Sequence, residues 1–292
     1  MKIVFHAGAH FTQSDRLMKC LLRNSEDFAE RRVAVPGPAR YRSLFKTIFQ
    51  APPDADPAPD TREILIDAVL DDDEVERVIL SNEHFFGAFG SALGSGRFYP
   101  DAPRRIELLC GIFRPDDVEM VLAVRNPATF LPEIRAQMIH RNTAHDMLAG
   151  TDPLALRWSD TIRRIRRTAP NMPITIWCNE DAPLIWPQVL RRIAGYGRDE
   201  KIVGGLEALS DVMTVEGLKR LRAYVRLLDN PSADRIRQLM LAFLEKYSVE
   251  DLMEEEIDMP GWTDDTIETL TQFYDEDMEV MQQLPGVTVL FP

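Results

Sequence analysis

Short runs rich in Val and Ile recur along the chain, with longer amphipathic segments between them. Such near-continuous apolar runs are typical of strands that are buried on both faces of a parallel sheet. The pattern predicts strands at Lys2–His6, Arg32–Val35, Arg77–Ser81, Val118–Val124, Ile174–Cys178 and Val287–Phe291.

Helical spacing of apolar residues fills most of the intervals between these strands. The predicted helices are Asp15–Ala29, Pro127–His140, Asp152–Arg167, Leu184–Ala194, Thr214–Leu228, Ser232–Lys246 and Thr263–Leu284. Ala51–Pro59 is rich in proline and Gly87–Gly96 in glycine and serine, so both are predicted to be loops. Strands that alternate with helices predict an α/β fold, a central parallel sheet flanked by helices.

The net negative charge of the chain arises in its C-terminal part. The net charge is −13, and residues 250–279 alone hold thirteen acidic residues, with no Lys or Arg after Lys246. A nearly neutral body with an acidic extension is a poor nucleic-acid binder, because phosphate contacts need clustered positive charge. We expect the acidic helix to meet a basic surface, within residues 163–167 or 219–226 or across a homodimer.

Several classes of protein are disfavoured by what the sequence lacks. No apolar run reaches the ~18–20 residues that span a bilayer, and the N-terminus has no signal-peptide layout, so we expect a cytoplasmic protein without a membrane segment. Cys20, Cys110 and Cys178 are odd in number and far apart, so we expect free buried thiols. His6 and His10 are separated by a strand-to-loop junction and have no third ligand nearby, so no metal site is predicted.

The segment with the most chemistry is KIVFHAGAHFTQSDRL, residues 2–17. A strand runs into Gly8, and Thr12 or Ser14 then opens a helix. Backbone N–H groups in such a turn, together with a helix N-terminus, can hold an anion. The same residues also have a purely structural explanation, in which Gly8 turns the chain and a hydroxyl caps the helix. The Walker A spacing is absent.

This segment resembles the 5′-phosphosulfate loop of the PAPS-dependent sulfotransferases, with Gly8, His10, Thr12 and Leu17 in register. The family has a P-loop-NTPase-like fold. AVRNPATFLPEIRAQ resembles its 3′-phosphate segment, with Arg125 at the position of the phosphate-binding arginine. VILSNEHFFG is similar to the acceptor-side strand that ends in Ser-x-Glu, and TIWCNEDAPLIWPQVLRRIAG is similar to a later strand-and-helix signature.

The resemblance implies a single sulfotransferase-like α/β domain over 1–292, with core motifs in 1–200, a helical acidic extension over about 205–284 and a final strand at 287–291. It also implies PAPS as the sulfuryl donor and a hydroxyl on a sugar, lipid or small molecule as the acceptor. The residues implied to bind the donor are Gly8, Ala9, His10, Thr12, Ser14 and Arg125.

The implied catalytic residues are Glu83, as general base on the acceptor hydroxyl, and His10. Glu83 can equally be a carboxylate that starts a helix. His84 beside it is interpreted as a solvated or packed side chain.

The sequence departs from the family pattern where that pattern carries chemistry. Phe11 replaces the loop lysine, Gln13 a glycine, and Glu133 the serine that contacts the 3′-phosphate, while Ser14 and Asp15 replace a threonine pair. Sulfuryl transfer relies on cations and N–H donors that stabilise the developing charge, and loss of one such group costs about 3–4 kcal/mol. Two functions therefore stay open: an active or altered sulfotransferase, and an inactive homologue that acts as a binding or assembly protein.

Overall fold

The computed structural model describes most of the chain. The described residues are 1–52, 57–71, 74–141, 148, 150–249 and 257–292. The strands are β1 (Lys2–His6), β2 (Val33–Ala34), β3 (Arg77–Ser81), β4 (Leu93–Gly94), β5 (Arg97–Phe98), β6 (Asp117–Val124), β7 (Ile174–Cys178) and β8 (Val287–Leu290). The helices are α1 (Ser14–Leu22), α2 (Ser25–Glu30), α3 (Arg42–Gln50), α4 (Thr61–Val69), α5 (Ala102–Ile112), α6 (Pro127–His140), α7 (Trp158–Thr168), α8 (Ala182–Ala194), α9 (Val215–Arg226), α10 (Ala233–Tyr247) and α11 (Asp264–Gln282). Short 3₁₀ helices form at Pro38–Arg40, Phe89–Ser91, Pro153–Ala155 and Ala208–Asp211.

A parallel sheet with the strand order β2-β3-β1-β6-β7-β8 forms the centre of the fold, and β4 pairs with β5 in a small antiparallel hairpin. Ile3 of β1 lies opposite Val78 of β3 and Val118 of β6. Every residue of β7 is buried, as expected of a strand covered by helices on both faces. The predicted α/β fold, a central parallel sheet flanked by helices with further helices in the C-terminal part, is confirmed.

Side-chain alternation along β1 divides the core into two layers. Ile3 and Phe5 face a layer to which α3, α4, α5, α6, α7 and α11 contribute apolar residues. Val4 faces the opposite layer, which is built from α1, α2 and α8 and contains Trp177 and Trp186. Both faces of the sheet are therefore sealed, and ligands can approach the strands only at their ends.

The C-terminal helices pack in two different ways. α9 and α10 pair with each other around a separate apolar cluster that includes Leu221 and Met240. α11 instead packs on α6 and α7, and buries Tyr274 and Met281 in the main core. Its buried Asp277 accepts a hydrogen bond of 3.0 Å from the backbone N–H of Ser159.

The acidic helix α11 packs on the body of the protein differently from what the sequence predicted. Within the described part of the chain, α11 forms no ion pair with the arginines of α7 or α9, and it is held to the body by its apolar face. Asp275, Glu276 and Glu279 of α11 are exposed. The acidic residues at 250–256 lie outside the described ranges, and association of two copies through this helix stays a prediction.

The structure corrects several predicted boundaries. The helix predicted over Asp15–Ala29 is broken into α1 and α2 at Asn24, whose amide side chain donates to the carbonyl oxygens of Cys20 and Val203. The helix predicted from Asp152 begins only at Trp158. Helices α3, α4 and α5 and the β4–β5 hairpin were not predicted.

The predicted loops and the predicted state of the cysteines are only partly matched by the structure. Gly87–Gly96 contains a 3₁₀ helix and strand β4, so it is more regular than the predicted loop, whereas residues 53–56 of the other predicted loop lie outside the described ranges. The cysteines are free, but Cys110 is only half-buried rather than buried. No helix among the described residues has the length and apolar character needed to cross a membrane.

Candidate functional site

The loop between β1 and α1 begins as a continuation of the sheet. The backbone N–H of Ala7 donates to the carbonyl of Val121 at 3.2 Å, and that of Ala9 donates to the carbonyl of Ala123 at 2.8 Å. The carbonyl of Gly8 accepts from the N–H of Ala123 at 2.7 Å. Ala9, one of the predicted donor-binding residues, is fully buried, and its N–H is already used in the sheet.

The second half of the loop leaves its donors open. Phe11 and Gln13 adopt positive φ angles of 59° and 63°. The backbone N–H groups of residues 11–16 have no acceptor within the described ranges. Thr12 is buried, and its hydroxyl donates to the carbonyl of Ala9 at 2.6 Å, which braces the loop. An open turn that leads into a helix N-terminus is a favourable place for an anion.

Ser14 and its neighbours define the entrance to α1. The Ser14 hydroxyl oxygen is buried and has no hydrogen-bond partner within the described ranges, whereas Asp15 is exposed. Gln13 donates to the carboxylate of Asp211 at 2.8 Å, and Arg16 pairs with both oxygens of the same carboxylate. A carboxylate from the 3₁₀ helix Ala208–Asp211 is thus anchored at the first turn of α1.

Glu83 lies directly against the loop. A Cβ atom built on Gly8 would be 3.4 Å from the Cα and Cβ atoms of Glu83, and Gly8 has a φ angle of +95°. The glycine therefore allows the end of β3 to approach the loop closely. The carboxylate of Glu83 is half-exposed and has no hydrogen-bond partner within the described ranges.

Tyr99, His10 and His84 form a hydrogen-bonded chain that leads from the core to the surface. The Tyr99 oxygen is 3.1 Å from the backbone nitrogen of His10 and 2.7 Å from its Nδ1, and His10 Nε2 is 3.1 Å from Nδ1 of His84. His10 is 2% exposed, so it reaches the surface only through His84, which is exposed.

The donors and acceptors of this chain assign the proton positions. A backbone N–H can only donate, so the Tyr99 oxygen accepts from His10 N–H. Within the described ranges Nδ1 of His10 is the acceptor in reach of the buried Tyr99 hydroxyl proton, and we assign the proton to that contact. Neutral His10 then carries its proton on Nε2 and donates it to Nδ1 of His84. A His84 ring that accepts at Nδ1 carries a proton on Nε2, so it presents an N–H donor.

The pKa of His10 fits the neutral form that this assignment requires. Burial, and then the neighbouring His84, lower the pKa of His10 to about 3, so His10 is neutral near pH 7. Burial raises the pKa of Tyr99, and the charge of nearby Glu83 adds to this effect. His6 is separate from the chain: it is fully buried, it lies 2.8 Å from the Ser81 hydroxyl and it stacks on Trp177.

Arg125 ties the loop to α6. The side chain is 8% exposed, and it donates to the carbonyl of Phe11 at 3.1 Å and to the hydroxyl of Thr129 at 3.0 Å. Its own carbonyl accepts from the indole N–H of Trp158 at 2.8 Å. Glu133 is half-exposed, and its Oε1 is 3.5 Å from the side-chain nitrogen of Gln137 on the same helix.

Phe11, which lies where the sequence resemblance implies a lysine, makes apolar contacts in the loop. Its ring centroid is 6.4 Å from that of Phe130 and 6.5 Å from that of Phe89. The ring is thus packed among aromatic side chains and supplies no positive charge to the loop.

A second group of polar side chains at the ends of β6 and β7 was missed from the sequence. Glu180 accepts from the backbone N–H of Asn126 at 2.9 Å, from the Cys178 thiol at 3.0 Å and from the Tyr274 hydroxyl at 3.2 Å. These residues border a cavity of about 590 Å³, which Asp181, Asp275 and Glu279 also line. Burial, and then Glu180, raise the pKa of Asp181. The part of this edge beside β7, away from the β1–α1 loop, is therefore acidic and unfavourable for an anion.

The structure brings the predicted residues Gly8, His10, Thr12, Glu83 and Arg125 to one end of the sheet. His84, Tyr99 and Asp211 join them without having been predicted as functional residues. Tyr99 and Asp211 come from distant segments without a local motif, so the sequence contained no indication of them. His84 could have been recognised because it directly follows Glu83. Within the described part of the chain, no three His, Cys, Asp or Glu side chains are arranged to hold a metal ion.

Comparisons with known proteins give one structural likeness. No protein-family model matches the chain, and no curated protein matches it. Among solved structures, the chain is similar to the crystal structure of a sulfotransferase from Alicyclobacillus acidocaldarius, at 13% sequence identity and a TM-score of 0.43. The similarity covers 82% of this chain and 95% of that one.

Proposed function

We propose that the protein is a sulfotransferase-like transferase that moves a sulfuryl group from PAPS to a hydroxyl acceptor. The observation that carries the proposal is the position of Glu83, which lies against Gly8 beside a loop whose N–H groups from residue 11 to 16 are open. A base and an anion-binding loop are thus adjacent, as transfer to a hydroxyl requires. The order of the sequence motifs supports the same function.

The loop has donors that fit the phosphosulfate end of PAPS. The open N–H groups and the partnerless Ser14 hydroxyl would hold its oxygens, and Gly8 lets the backbone and Glu83 come close. Arg125 donates to the carbonyl of Phe11, so it would hold the nucleotide only by giving up some of its present contacts. When bound there, PAPS supplies the sulfuryl group.

The other parts of the proposed reaction are performed by residues of the protein itself. Glu83 accepts the proton of the acceptor hydroxyl as the acceptor oxygen bonds to sulfur and the bond to the bridging oxygen breaks. His84 offers its Nε2–H to the negative charge that develops, and His10 and Tyr99 hold it in that tautomer. His10 is thus a positioning residue in this mechanism. The backbone donors of the loop stabilise the departing anion.

A second function is favoured by specific contacts: an inactive homologue that binds or assembles without transferring a group. Arg125 donates to the carbonyl of Phe11, which draws its guanidinium into the loop structure. The carboxylate of Asp211, held by Gln13 and Arg16, brings negative charge to the start of α1. Both features lower the affinity of the loop for a phosphate or sulfate.

Calorimetry with adenosine 3′,5′-bisphosphate distinguishes the two functions. The transferase proposal expects micromolar binding that is lost in Arg125→Ala and kept in Arg237→Ala, which removes an exposed arginine of α10. Glu83→Gln should retain binding and lose transfer of ³⁵S from labelled PAPS to a panel of hydroxyl acceptors. Absence of binding at millimolar ligand would reject the transferase and leave the inactive homologue.

A further inference from the structure

A separate cavity lies at the other end of α1 from the loop. It has a volume of about 460 Å³ and is lined by residues of the last two turns of α8, the segment 199–207, α9, α10 and the connection between them. Arg23, which directly follows α1, forms part of its wall. A cavity of this size accommodates a small organic molecule.

The cavity is basic although the chain carries a net charge of −13. The cationic side chains that line it are Arg23, Arg191, Lys201, Arg222 and Arg226. Its two acidic side chains, Asp199 and Glu207, offset only part of this positive charge. Glu207 pairs with Arg23 at 3.0 Å and with Arg222 at 3.1 Å, and Asp199 accepts from the backbone N–H of Ala233 at 2.8 Å. Positive charge therefore remains in excess.

Arg191 is the decisive residue of this cavity. It is only 6% exposed, and its Nε donates to the carbonyl of Glu200 at 2.6 Å. Within the described ranges, neither terminal amino group of Arg191 has an acceptor and the side chain has no ion-pair partner. Burial lowers its pKa, and the charges of Asp199 and Glu200 only partly offset this effect. A buried cation of this kind is stabilised by an anion that completes its hydrogen bonds.

Most of the other residues of the wall are apolar. Pro187, Ile202, Leu206, Val225 and Leu228 line the cavity beside the arginines. A bare inorganic ion would leave these side chains in contact with water, whereas an organic body would cover them.

We propose that this cavity binds a small amphipathic anion, with a phosphate or carboxylate head group on Arg191 and a compact apolar body against the apolar side chains that line the cavity. The site is separate from the β1–α1 loop and does not depend on the transferase function.

Calorimetry on the full chain with hexyl phosphate, hexanoate and inorganic phosphate tests the site. We expect at least one of the two amphipathic anions to bind one molecule per chain, and the tighter of the two identifies the head group. Binding should weaken at least about tenfold in Arg191→Gln and in Arg226→Gln, because each loses a charge-assisted contact. Arg220→Gln, which changes an arginine of α9 outside the cavity, should bind as the unaltered protein does.

Three results would overturn the proposal. These are no binding of either amphipathic anion at millimolar concentration, binding of inorganic phosphate as tight as that of hexyl phosphate (an adventitious ion only), and equal weakening in Arg220→Gln. Arg226 is exposed, so its variant keeps the test decisive if Arg191→Gln fails to fold. Binding of adenosine 3′,5′-bisphosphate should be the same in Arg191→Gln and in the unaltered chain, which separates this site from the loop.

Discussion

The hydroxyl of Tyr99 contacts His10 twice, at the backbone nitrogen and at Nδ1 of the ring. One fully buried phenol therefore fixes both the loop backbone and the orientation of the imidazole. Because the ring then donates to His84, a residue in the core determines which nitrogen of a surface histidine carries the proton.

Tyr99→Phe should destabilise the protein and release the tautomer of His84. The variant leaves the buried N–H and Nδ1 of His10 without their partner, which costs about 1–3 kcal/mol. Urea unfolding measures the loss, and ¹⁵N chemical shifts of the His84 ring report the tautomer. Tyr224→Phe is the control, since Tyr224 is exposed, and it should change neither quantity. An unchanged His84 spectrum in Tyr99→Phe would contradict the proposed chain.

Stability should fall as the pH drops below 6.5, because His6 and His10 are buried in their neutral forms. Burial lowers the pKa of each to about 3 from an ordinary value of 6.5. Between pH 6.5 and pH 3 the unfolded chain binds protons that the folded chain rejects. Each histidine then costs about 1.4 kcal/mol per pH unit, while above pH 6.5 the effect is absent.

Urea unfolding at pH 7.5 and pH 5.5 tests this dependence. His6→Gln should reduce the loss of stability between the two pH values, whatever its effect at pH 7.5. His140→Gln, which alters an exposed histidine, should leave the pH dependence as it is. The interpretation fails if His6→Gln and the unaltered chain lose equal stability on acidification.

Gly8→Ala should disturb the loop and the position of Glu83 together. An added Cβ would lie 3.1 Å from the His10 nitrogen and 3.4 Å from Glu83, at a φ angle of +95° that side chains rarely adopt. We expect a loss of about 1–3 kcal/mol by thermal or urea unfolding. Gly111→Ala is the matched control, because Gly111 is a helical residue with open space around it, and it should be neutral or stabilising. Equal stability of the two variants would show that the loop tolerates a side chain at Gly8.

Arg77→Met should be among the most damaging single changes away from the site. Arg77 at the start of β3 pairs with Glu119 of β6 and donates to the carbonyl of Ile193 at 2.8 Å, and both charged side chains are nearly buried. Removing the arginine leaves the buried carboxylate of Glu119 with Lys2, 3.8 Å away, as its ion-pair partner, at a cost of about 3 kcal/mol. Denaturant unfolding should show this loss, with little change in Arg220→Met, whose pair with Glu216 is exposed. Similar losses in the two variants would exclude a special role for the buried pair.

The strands were predictable because a strand that is buried on both faces consists of a short, nearly continuous run of apolar residues. Lys2–His6, Arg77–Ser81 and Ile174–Cys178 are found at their predicted limits. The short helices α3 and α4 were harder to predict, since each is nine residues long and buries only two side chains. Asp15–Ala29 has a continuous apolar pattern, but tertiary hydrogen bonds of Asn24 break the helix.

The candidate site was predictable only in part, for a related physical reason. Gly8, Glu83 and Arg125 lie where strands end, so their residue types and positions carried information. The contacts that decide their chemistry join segments far apart in sequence, such as Tyr99 to His10 and Asp211 to Arg16. The periodicity of the sequence does not reveal these pairs. The hydrogen bond from the Arg125 guanidinium to the carbonyl of Phe11 is likewise visible only in the three-dimensional structure.

The position of β8 has a consequence for the growing chain. β7 is buried throughout and mostly apolar, yet its outer hydrogen-bonding edge is covered by a strand that begins only at Val287. While residues 179–286 are being synthesised, this edge has no partner strand, and unpaired apolar edges are prone to join other chains. Loss of the last few residues would make that transient state permanent, so aggregation during expression, rather than a lower melting temperature, should be the first symptom of a C-terminal deletion.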